Sequence, residues 1–319
     1  MIGLMTLTEL KYIVAVARER HFGRAADACF VSQPTLSVAI RKLEDELGVQ
    51  LFERGSSEVS VTAIGEQIVE QAQRVLEQAG TIKEIAKQGK DPLDGPLKVG
   101  VIYTIGPYLL PSLVRRMISD APRMPMLLQE NYTIKLLELL RQGEIDVAIL
   151  ADPFNAQGLM SQPLYDEPFV VAVPAGHPLA ARPSVSASLL KSEMMLLLGT
   201  GHCFRDQVLE VCPELSRFSQ TSAGIQKTFE GSSLETIRHM VASGIGITVL
   251  PWMAMSAQPQ SDSLLRYVQF DAPAPLRRVS IAWRKSYSRT AAVRTLRQAV
   301  LALDIEGVTM LPGEEAVPH

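Results

Sequence analysis

The segment from Phe22 to Gly48 constrains the fold of this chain most, because it has the pattern of two helices joined by a tight turn. An alanine-rich stretch is predicted to form a short helix that ends near Cys29. Ser32 then begins a second helix with Pro34 in its first turn, both favoured at helix starts. Apolar residues at 4-3-4 spacing predict one buried stripe on this helix, formed by Leu36, Ile40, Leu43 and Leu47.

The residues off this stripe are small, polar or basic. A second helix that carries such groups outward is the reading element of a helix-turn-helix, whose side chains reach base edges in the major groove. We therefore predict that double-stranded DNA, the operator, is contacted by Ser32, Gln33, Pro34, Thr35, Ser37, Arg41 and Lys42. Residues 51–54 and 59–61 are expected to form a hairpin wing, with Arg54 as a further DNA contact.

An ordinary helical hairpin within a core is the alternative for this region, and charge offers it some support. Residues 1–90 contain 11 Lys and Arg against 12 Asp and Glu, so generic attraction to phosphate is weak. The order of turn, helix and wing still favours a winged helix-turn-helix DNA-binding domain over residues 1–62.

A long polar segment without proline follows this domain. Its apolar residues are spaced close to a heptad seam, which predicts one helix over residues 63–88, about 39 Å long. Pairing with the same helix of a second subunit would cover the seam, and packing against its own chain is the alternative. Residues 89–96 contain glycines and prolines and are interpreted as a hinge.

From Leu97 onward, predicted strands alternate with predicted helices, as in an α/β fold with a largely parallel sheet. One of the predicted strands is Met194–Leu198. We assign residues 97–305 to a regulatory domain and expect the tail, residues 306–319, to be frayed. The fold class is therefore mixed, with helical reading elements followed by an α/β part.

Composition limits the cellular compartment of this chain and the kinds of site that it can contain. The net charge is −3, the apolar runs are too short or contain glycine, and the N-terminal run is too short for a secretory signal. Three cysteines are too few for a disulfide scaffold, so we expect a cytoplasmic protein without a membrane partner. We expect no cofactor and no metal, because His202, Cys203, Cys212 and His177 match no common zinc spacing.

The segment Phe22–Gly48 resembles the DNA-binding head of LysR-type transcriptional regulators. Residues 103–109, 201–207 and 233–242 resemble the peroxide-sensing branch of that family, and the match runs from about Met5 to Leu303. The resemblance implies two α/β lobes of the periplasmic-binding-protein type that cross near Pro168 and Phe270. Lobe I would contain residues 97–168 and 270–305, and lobe II residues 169–269.

The same resemblance implies an activator of oxidative-stress genes, not an enzyme, that works as a dimer of dimers (a homotetramer). Its implied partners are operator DNA, hydrogen peroxide, a cellular dithiol reductant and RNA polymerase. One feature departs from the family pattern, in which the wing turn often carries a basic residue. The turn at residues 55–58 has none, which leaves Arg54 as the local candidate for a phosphate contact.

Cys203 precedes a predicted helix over residues 204–211, and a thiol at a helix N-terminus beside Arg205 favours the thiolate that attacks peroxide. By resemblance, Thr104, Thr133 and His202 form the peroxide pocket, with Arg205 and Asp206 in support. The resemblance also implies a redox-active disulfide between Cys203 and Cys212. A helix between them separates the Cα atoms by about 13.5 Å, whereas a disulfide needs about 7 Å or less, so the helix would have to unwind.

Two other functions stay open at this point. The lobes of a LysR-type regulator could bind a small organic effector, with both cysteines merely structural. A thiol peroxidase would use the same sulfur chemistry, but catalysis needs no DNA-binding head, and the first ninety residues argue against it.

Overall fold

The computed structural model describes residues 5–54, 59–88, 92–212, 233–256 and 264–313. It divides the chain into two compact units, residues 1–90 and 91–319. The first unit consists of helices α1 (Leu7–Glu19), α2 (Phe22–Ala28), α3 (Gln33–Leu47) and α4 (Ala63–Gln88) with the hairpin strands β1 (Phe52–Arg54) and β2 (Val59–Val61).

Side-chain caps fix the helix starts of this unit. Thr6 and Glu9 form a reciprocal capping box at α1. The Ser32 hydroxyl accepts a 3.3 Å hydrogen bond from the Thr35 amide at the start of α3, and Gly48 ends α3 at φ 68°. These starts and stops confirm the predicted turn between two helices, and the predicted wing is present.

One predicted core position is wrong. Leu47 is 37% exposed, whereas Glu44, one turn earlier, is buried. The Glu44 carboxylate accepts hydrogen bonds from the amides of Leu51 (2.7 Å) and Phe52 (3.2 Å). Glu44 is therefore buried in place of Leu47, because the backbone amides of Leu51 and Phe52 at the start of the wing need hydrogen-bond acceptors.

Helix α4 has the predicted 26 residues. Ala72 is buried in the core of the first unit, and Ile68 and Val75 pack partly against that core. Ile82, further along the seam, is 70% exposed. The first half of the seam thus packs against its own chain, and pairing with a second subunit remains a prediction for the rest.

The second unit is built from strands and helices in alternation. Its strands are β3 (Leu97–Ile102), β4 (Met126–Asn131), β5 (Val147–Ala151), β6 (Leu159–Pro174), β7 (Ser184–Val185), β8 (Thr248–Pro251), β9 (Leu265–Phe270), β10 (Leu276–Arg284) and β11 (Thr309–Met310). Its helices are α5 (Gly106–Asp120), α6 (Thr133–Arg141), α7 (Cys203–Val211), α8 (Leu234–Ala242), α9 (Trp252–Ser256) and α10 (Thr290–Leu301), with 3₁₀ helices at Pro178–Ala181 and Ala187–Ser192.

The strands form one sheet in the order β4-β3-β5-β10-β6-β9-β7, with β8 and β11 also paired to β6. Only β3–β4, β3–β5 and β7–β9 are parallel pairs within the described sheet. The expectation of a largely parallel sheet is therefore wrong. The long strand β6 and its neighbour β10 run antiparallel to each other because they carry the chain between two halves.

Strand β6 joins those two halves. Residues 159–168 of β6 pair with β10, and residues 169–174 pair with β8 and β9. One buried core gathers around β3, β5 and α10, and a second around residues 169–173, α7 and α8. These cores correspond to the two lobes that the resemblance implies, and the names lobe I and lobe II are kept for them.

Two local predictions are wrong. Residues 194–198 form no strand and make a single bridge, between Met195 and Ile247. Residues 306–313 of the tail are not frayed, since β11 pairs with β6 and Arg297 donates to the carbonyls of Leu311 and Pro312. Residues 314–319 lie outside the described residues. Within the described ranges, no helix is both long enough and apolar enough to cross a bilayer.

Candidate functional site

A small cavity lies where three chain segments of the second unit meet. Its empty space is about 170 Å³ when the solvent at its mouth is included. It is lined by Ile102, Tyr103, Thr104, Asn131, Tyr132, Thr133, Gly201, His202 and Cys203. The N-terminal ends of α6 and α7 both lie at this cavity, since Thr133 and Cys203 are their first residues. Unpaired amides at helix N-termini favour negative charge, so the cavity suits a thiolate or a developing hydroxide.

Cys203 begins α7 between the two lobes. Its half-buried side chain packs against the core of lobe I. Phe204 and Val208 of the same helix are buried in the core of lobe II. Gln207 of α7 also contacts lobe I, since its Nε2 donates a 2.9 Å hydrogen bond to the Asp152 carbonyl. Helix α7 therefore connects the lobes at the position of the thiol.

Thr104 is buried beside the cavity, and its hydroxyl has a defined direction. Its Oγ1 accepts a 2.9 Å hydrogen bond from Nη1 of Arg277, and its carbonyl accepts another 2.9 Å bond from Nη2. A guanidinium has only donors, so the threonine oxygen must be the acceptor. The hydroxyl proton of Thr104 is then available to a group in the cavity.

Arg277 is buried at the start of β10 and was missed by the sequence analysis. Its Nε donates a 2.8 Å hydrogen bond to Glu167, which is itself fully buried and accepts from the Met253 amide at 2.7 Å. The guanidinium carbon also lies 5.3 Å from the ring centroid of Phe204. The pair thus supports Thr104 on one side and the start of α7 on the other.

Thr133 and His202 are further polar residues of the lining. The Thr133 hydroxyl is buried without a hydrogen-bond partner among the described residues. His202 is buried as well, and burial lowers the pKa of its imidazole below the usual value. A neutral imidazole has one donor and one acceptor nitrogen, so it can donate one hydrogen bond and accept another.

Cys212 lies at the opposite end of α7. It is the C-cap residue, it is 5% exposed within the core of lobe II, and burial raises the pKa of its thiol. Nine helical residues separate the two sulfur-bearing positions by about 13.5 Å, well beyond the limit of about 7 Å for a disulfide. Both thiols are free, as this separation requires.

The first unit presents the predicted DNA contacts at its surface. Ser32, Gln33, Pro34, Thr35, Arg41 and Lys42 are exposed and Ser37 is half-buried. Val38 lies on the same helix, is 69% exposed and was missed, although an apolar residue outside a buried stripe is a signal. Apolar side chains on a reading helix contact the methyl group of thymine.

Two family descriptions match the chain. "Bacterial regulatory helix-turn-helix protein, lysR family" matches residues 7–66, and "LysR substrate binding domain" matches residues 90–304. A curated relative, the "Hydrogen peroxide-inducible genes activator" of Pectobacterium carotovorum, is 43% identical over 88% of this chain and 90% of its own length.

Solved structures that are similar to this chain belong to the same family of regulators. A full-length OxyR cysteine variant from Pseudomonas aeruginosa is 50% identical, covers 94% of this chain and 99% of its own, and superimposes with a TM-score of 0.74. The chain belongs to the OxyR family of LysR-type regulators. A Corynebacterium glutamicum OxyR cysteine mutant with hydrogen peroxide bound is 36% identical over 93% of this chain and 91% of its own, with a TM-score of 0.60.

Membership of the OxyR family makes this chain a DNA-binding transcriptional regulator with a winged head and a two-lobed α/β regulatory domain. That family is a class of regulators and not a class of enzymes. The family that the sequence resemblance predicted is therefore confirmed. The roles of individual residues remain predictions.

The structure does not bring every predicted site residue to the cavity. Arg205 turns away from it and donates a 2.8 Å hydrogen bond to the Leu198 carbonyl, and Asp206 is exposed on α7. Neither residue lines the cavity. Arg54 ends strand β1, and the wing turn at residues 55–58 lies outside the described residues.

A metal site was the alternative for His202, Cys203, Cys212 and His177. Among the described residues, no group of three or more His, Cys, Asp or Glu side chains could hold a metal ion. His177 lies 3.2 Å from Glu193. Two lining residues that the sequence analysis passed over, Tyr103 and Tyr132, place aromatic rings around His202.

Proposed function

We propose that this chain is a transcriptional regulator activated by hydrogen peroxide through Cys203 and a reversible disulfide with Cys212. One observation carries the proposal: Cys203 begins α7 at a cavity whose lining includes two threonines and a histidine, and Cys212 caps the other end of the same helix. The printed names of the relatives, hydrogen peroxide-inducible genes activators and a peroxide-bound OxyR, support the choice of oxidant.

The first step is a nucleophilic displacement. The Cys203 thiolate attacks one peroxide oxygen, a sulfur–oxygen bond forms and the oxygen–oxygen bond breaks. The sulfur is oxidised to a sulfenic acid and the second oxygen leaves as hydroxide, which takes a proton to become water. Thr104, Thr133 and His202 supply the hydrogen-bond donors that this departing charge needs.

The second step joins the two cysteines. The Cys212 sulfur attacks the sulfenic sulfur, a disulfide forms, and the hydroxyl leaves with the thiol proton as water. Because α7 holds the two residues about 13.5 Å apart, it must unwind for this step. Arg205 acts outside the cavity, where it ties the first turn of α7 to the Leu198 carbonyl. The charge of Asp206 in that turn favours the helix N-terminus.

The refolded segment changes the subunit contacts and thereby the spacing of the DNA-binding heads in a dimer of dimers. Helix α3 contacts the operator through Ser32, Gln33, Pro34, Thr35, Ser37, Arg41 and Lys42, with Arg54 from the wing. The altered complex recruits RNA polymerase in the cytoplasm. A cellular dithiol supplies two electrons, becomes a disulfide itself and returns both cysteines to thiols.

Mass spectrometry after one equivalent of peroxide tests this function. The expected product is an intramolecular bond between Cys203 and Cys212, and the Cys203→Ser variant should bind DNA without a peroxide-dependent change of footprint. Cys29→Ser is the matched control, since Cys29 lies on the first unit, and it should respond like the wild type. A footprint that shifts with an organic effector, and not with peroxide, would instead support the effector-binding alternative.

A further inference from the structure

Two tyrosine rings stand at the outer part of the cavity that leads to Cys203. Thr104 and His202 are buried, whereas Tyr103 is 40% exposed and Tyr132 is half-buried. The buried pair therefore marks the inner part of the cavity. The tyrosines lie nearer to solvent than this pair and line the same cavity as Cys203.

The rings are held by contacts with one another. Tyr103 and Tyr132 meet edge to face, with centroids 5.3 Å apart at 77°. Tyr132 meets His202 in the same manner at 4.8 Å and 69°, and Tyr103 lies 6.0 Å from His202. Edge-to-face contacts of this kind are favourable beyond the area they bury, so the three rings fix each other.

The backbone beside Cys203 is shaped around the same ring. Gly201 has φ +96°, and a Cβ atom at this position would meet the Tyr132 ring at 3.4 Å. The positive φ favours glycine here, and a Cβ atom in the turn that begins α7 would be in ordinary van der Waals contact with the ring. The ring of Tyr132 thus has backbone on one side and two aromatic neighbours.

We propose that Tyr103 and Tyr132 form a size filter that admits hydrogen peroxide to Cys203 and excludes hydroperoxides with branched or aromatic substituents. The inference rests on the proposed function, in which Cys203 reacts with a hydroperoxide. The room within the cavity is small: only about 10 Å³ can hold the centre of a water-sized sphere, which is about the space that one water molecule needs. Hydrogen peroxide has two heavy atoms, and tert-butyl hydroperoxide adds a branched four-carbon group.

Rates of Cys203 oxidation by hydrogen peroxide, tert-butyl hydroperoxide and cumene hydroperoxide test the filter in the full chain. In Tyr103→Ala and Tyr132→Ala, the rates with the two organic hydroperoxides should rise relative to hydrogen peroxide by about tenfold or more. The Tyr103→Phe and Tyr132→Phe variants keep the rings and lose only the hydroxyls. They should retain the selectivity of the wild type.

Disulfide formation with diamide checks that each variant still folds and switches. Unchanged selectivity in both alanine variants would overturn the filter, and so would phenylalanine variants that lose selectivity as the alanine variants do. A wild-type Cys203 that does not react with hydrogen peroxide would overturn the proposed function together with the filter. A reactive wild type with unchanged alanine variants would overturn the filter alone.

Discussion

Arg277 and Thr104 are joined by two hydrogen bonds of 2.9 Å, one to the hydroxyl oxygen and one to the carbonyl oxygen of the threonine. The arginine comes from β10, and the threonine follows β3 at the cavity. The bond to the hydroxyl occupies one lone pair of its oxygen and leaves its proton for the cavity. A buried ion pair in the crossing strands thereby sets the direction of a donor beside Cys203.

The first prediction concerns that hydroxyl. Replacing Thr104 by Val keeps the shape and removes the donor, so the reaction of Cys203 with hydrogen peroxide should slow by about tenfold to a hundredfold. Stopped-flow measurement of thiol loss gives this rate. Disulfide formation with diamide, a strong dithiol oxidant that has no oxygen–oxygen bond to break, should be unaffected.

Thr104→Ser is the matched control for this change, because it retains a hydroxyl that can accept from Arg277 and donate into the cavity. It should keep most of the wild-type rate. Equal peroxide rates in Thr104→Val and the wild type would remove Thr104 from the reaction.

The second prediction concerns the pair of Arg277 and Glu167, both fully or almost fully buried. Arg277→Met leaves the Glu167 carboxylate without its partner and should lower the free energy of unfolding of the regulatory unit by about 3–5 kcal/mol. The double variant with Glu167→Gln removes the uncompensated charge and should recover part of that loss. Urea unfolding of the four proteins in this cycle measures the coupling.

Independent, additive losses from the two single variants would contradict this account of the pair. Disulfide formation by peroxide in the Arg277→Met protein serves as a further readout. It should slow, because the Thr104 hydroxyl is no longer held.

Sequence reasoning succeeded where local rules decide the structure. The cap at Ser32, the stop at Gly48 and the helix between Cys203 and Cys212 follow from residue types at neighbouring positions. It failed where distant segments decide. Residues 194–198 are apolar enough for a strand, but the chain offers them only a bridge to Ile247.

The site shows the same contrast between local and distant determinants. His202 and Cys203 could be predicted as site residues because they are adjacent in the chain. Arg277 could not, because its partner Glu167 lies 110 residues away. Arg277 is one of two adjacent arginines at the start of β10. Residue type alone does not tell the buried Arg277 from the exposed Arg278.

The third prediction concerns DNA binding. Arg41 is exposed on α3, so Arg41→Gln should remove one phosphate contact. Binding to operator DNA should weaken, and the slope of log affinity against log salt should fall by about 1. Fluorescence anisotropy over a salt series measures both. Arg115→Gln is the matched control, an exposed arginine of α5 in the other unit, and its slope should equal that of the wild type.

The fourth prediction follows from His202. Burial lowers the pKa of its imidazole in the folded protein below the ordinary value of about 6.5 that the unfolded chain keeps. The unfolded state then binds the proton more readily, so the stability associated with neutral His202 is present above about pH 6.5 and is lost as pH falls through the lowered pKa.

Thermal unfolding of the wild type and His202→Gln between pH 5 and 8 isolates this contribution. The Tm difference between them should become less favourable to the wild type as the pH falls. A difference that is constant with pH would show that His202 does not titrate differently on folding.

The central claim is that oxidation joins Cys203 to Cys212 at the expense of helix α7. Amide hydrogen exchange over residues 203–212, compared between the reduced and the disulfide-bonded full chain, tests it most directly. The account predicts slow exchange of the α7 amides in the reduced protein and a loss of that protection once the disulfide has formed. Equal protection in the two states, with the disulfide verified by mass in the same sample, would contradict it.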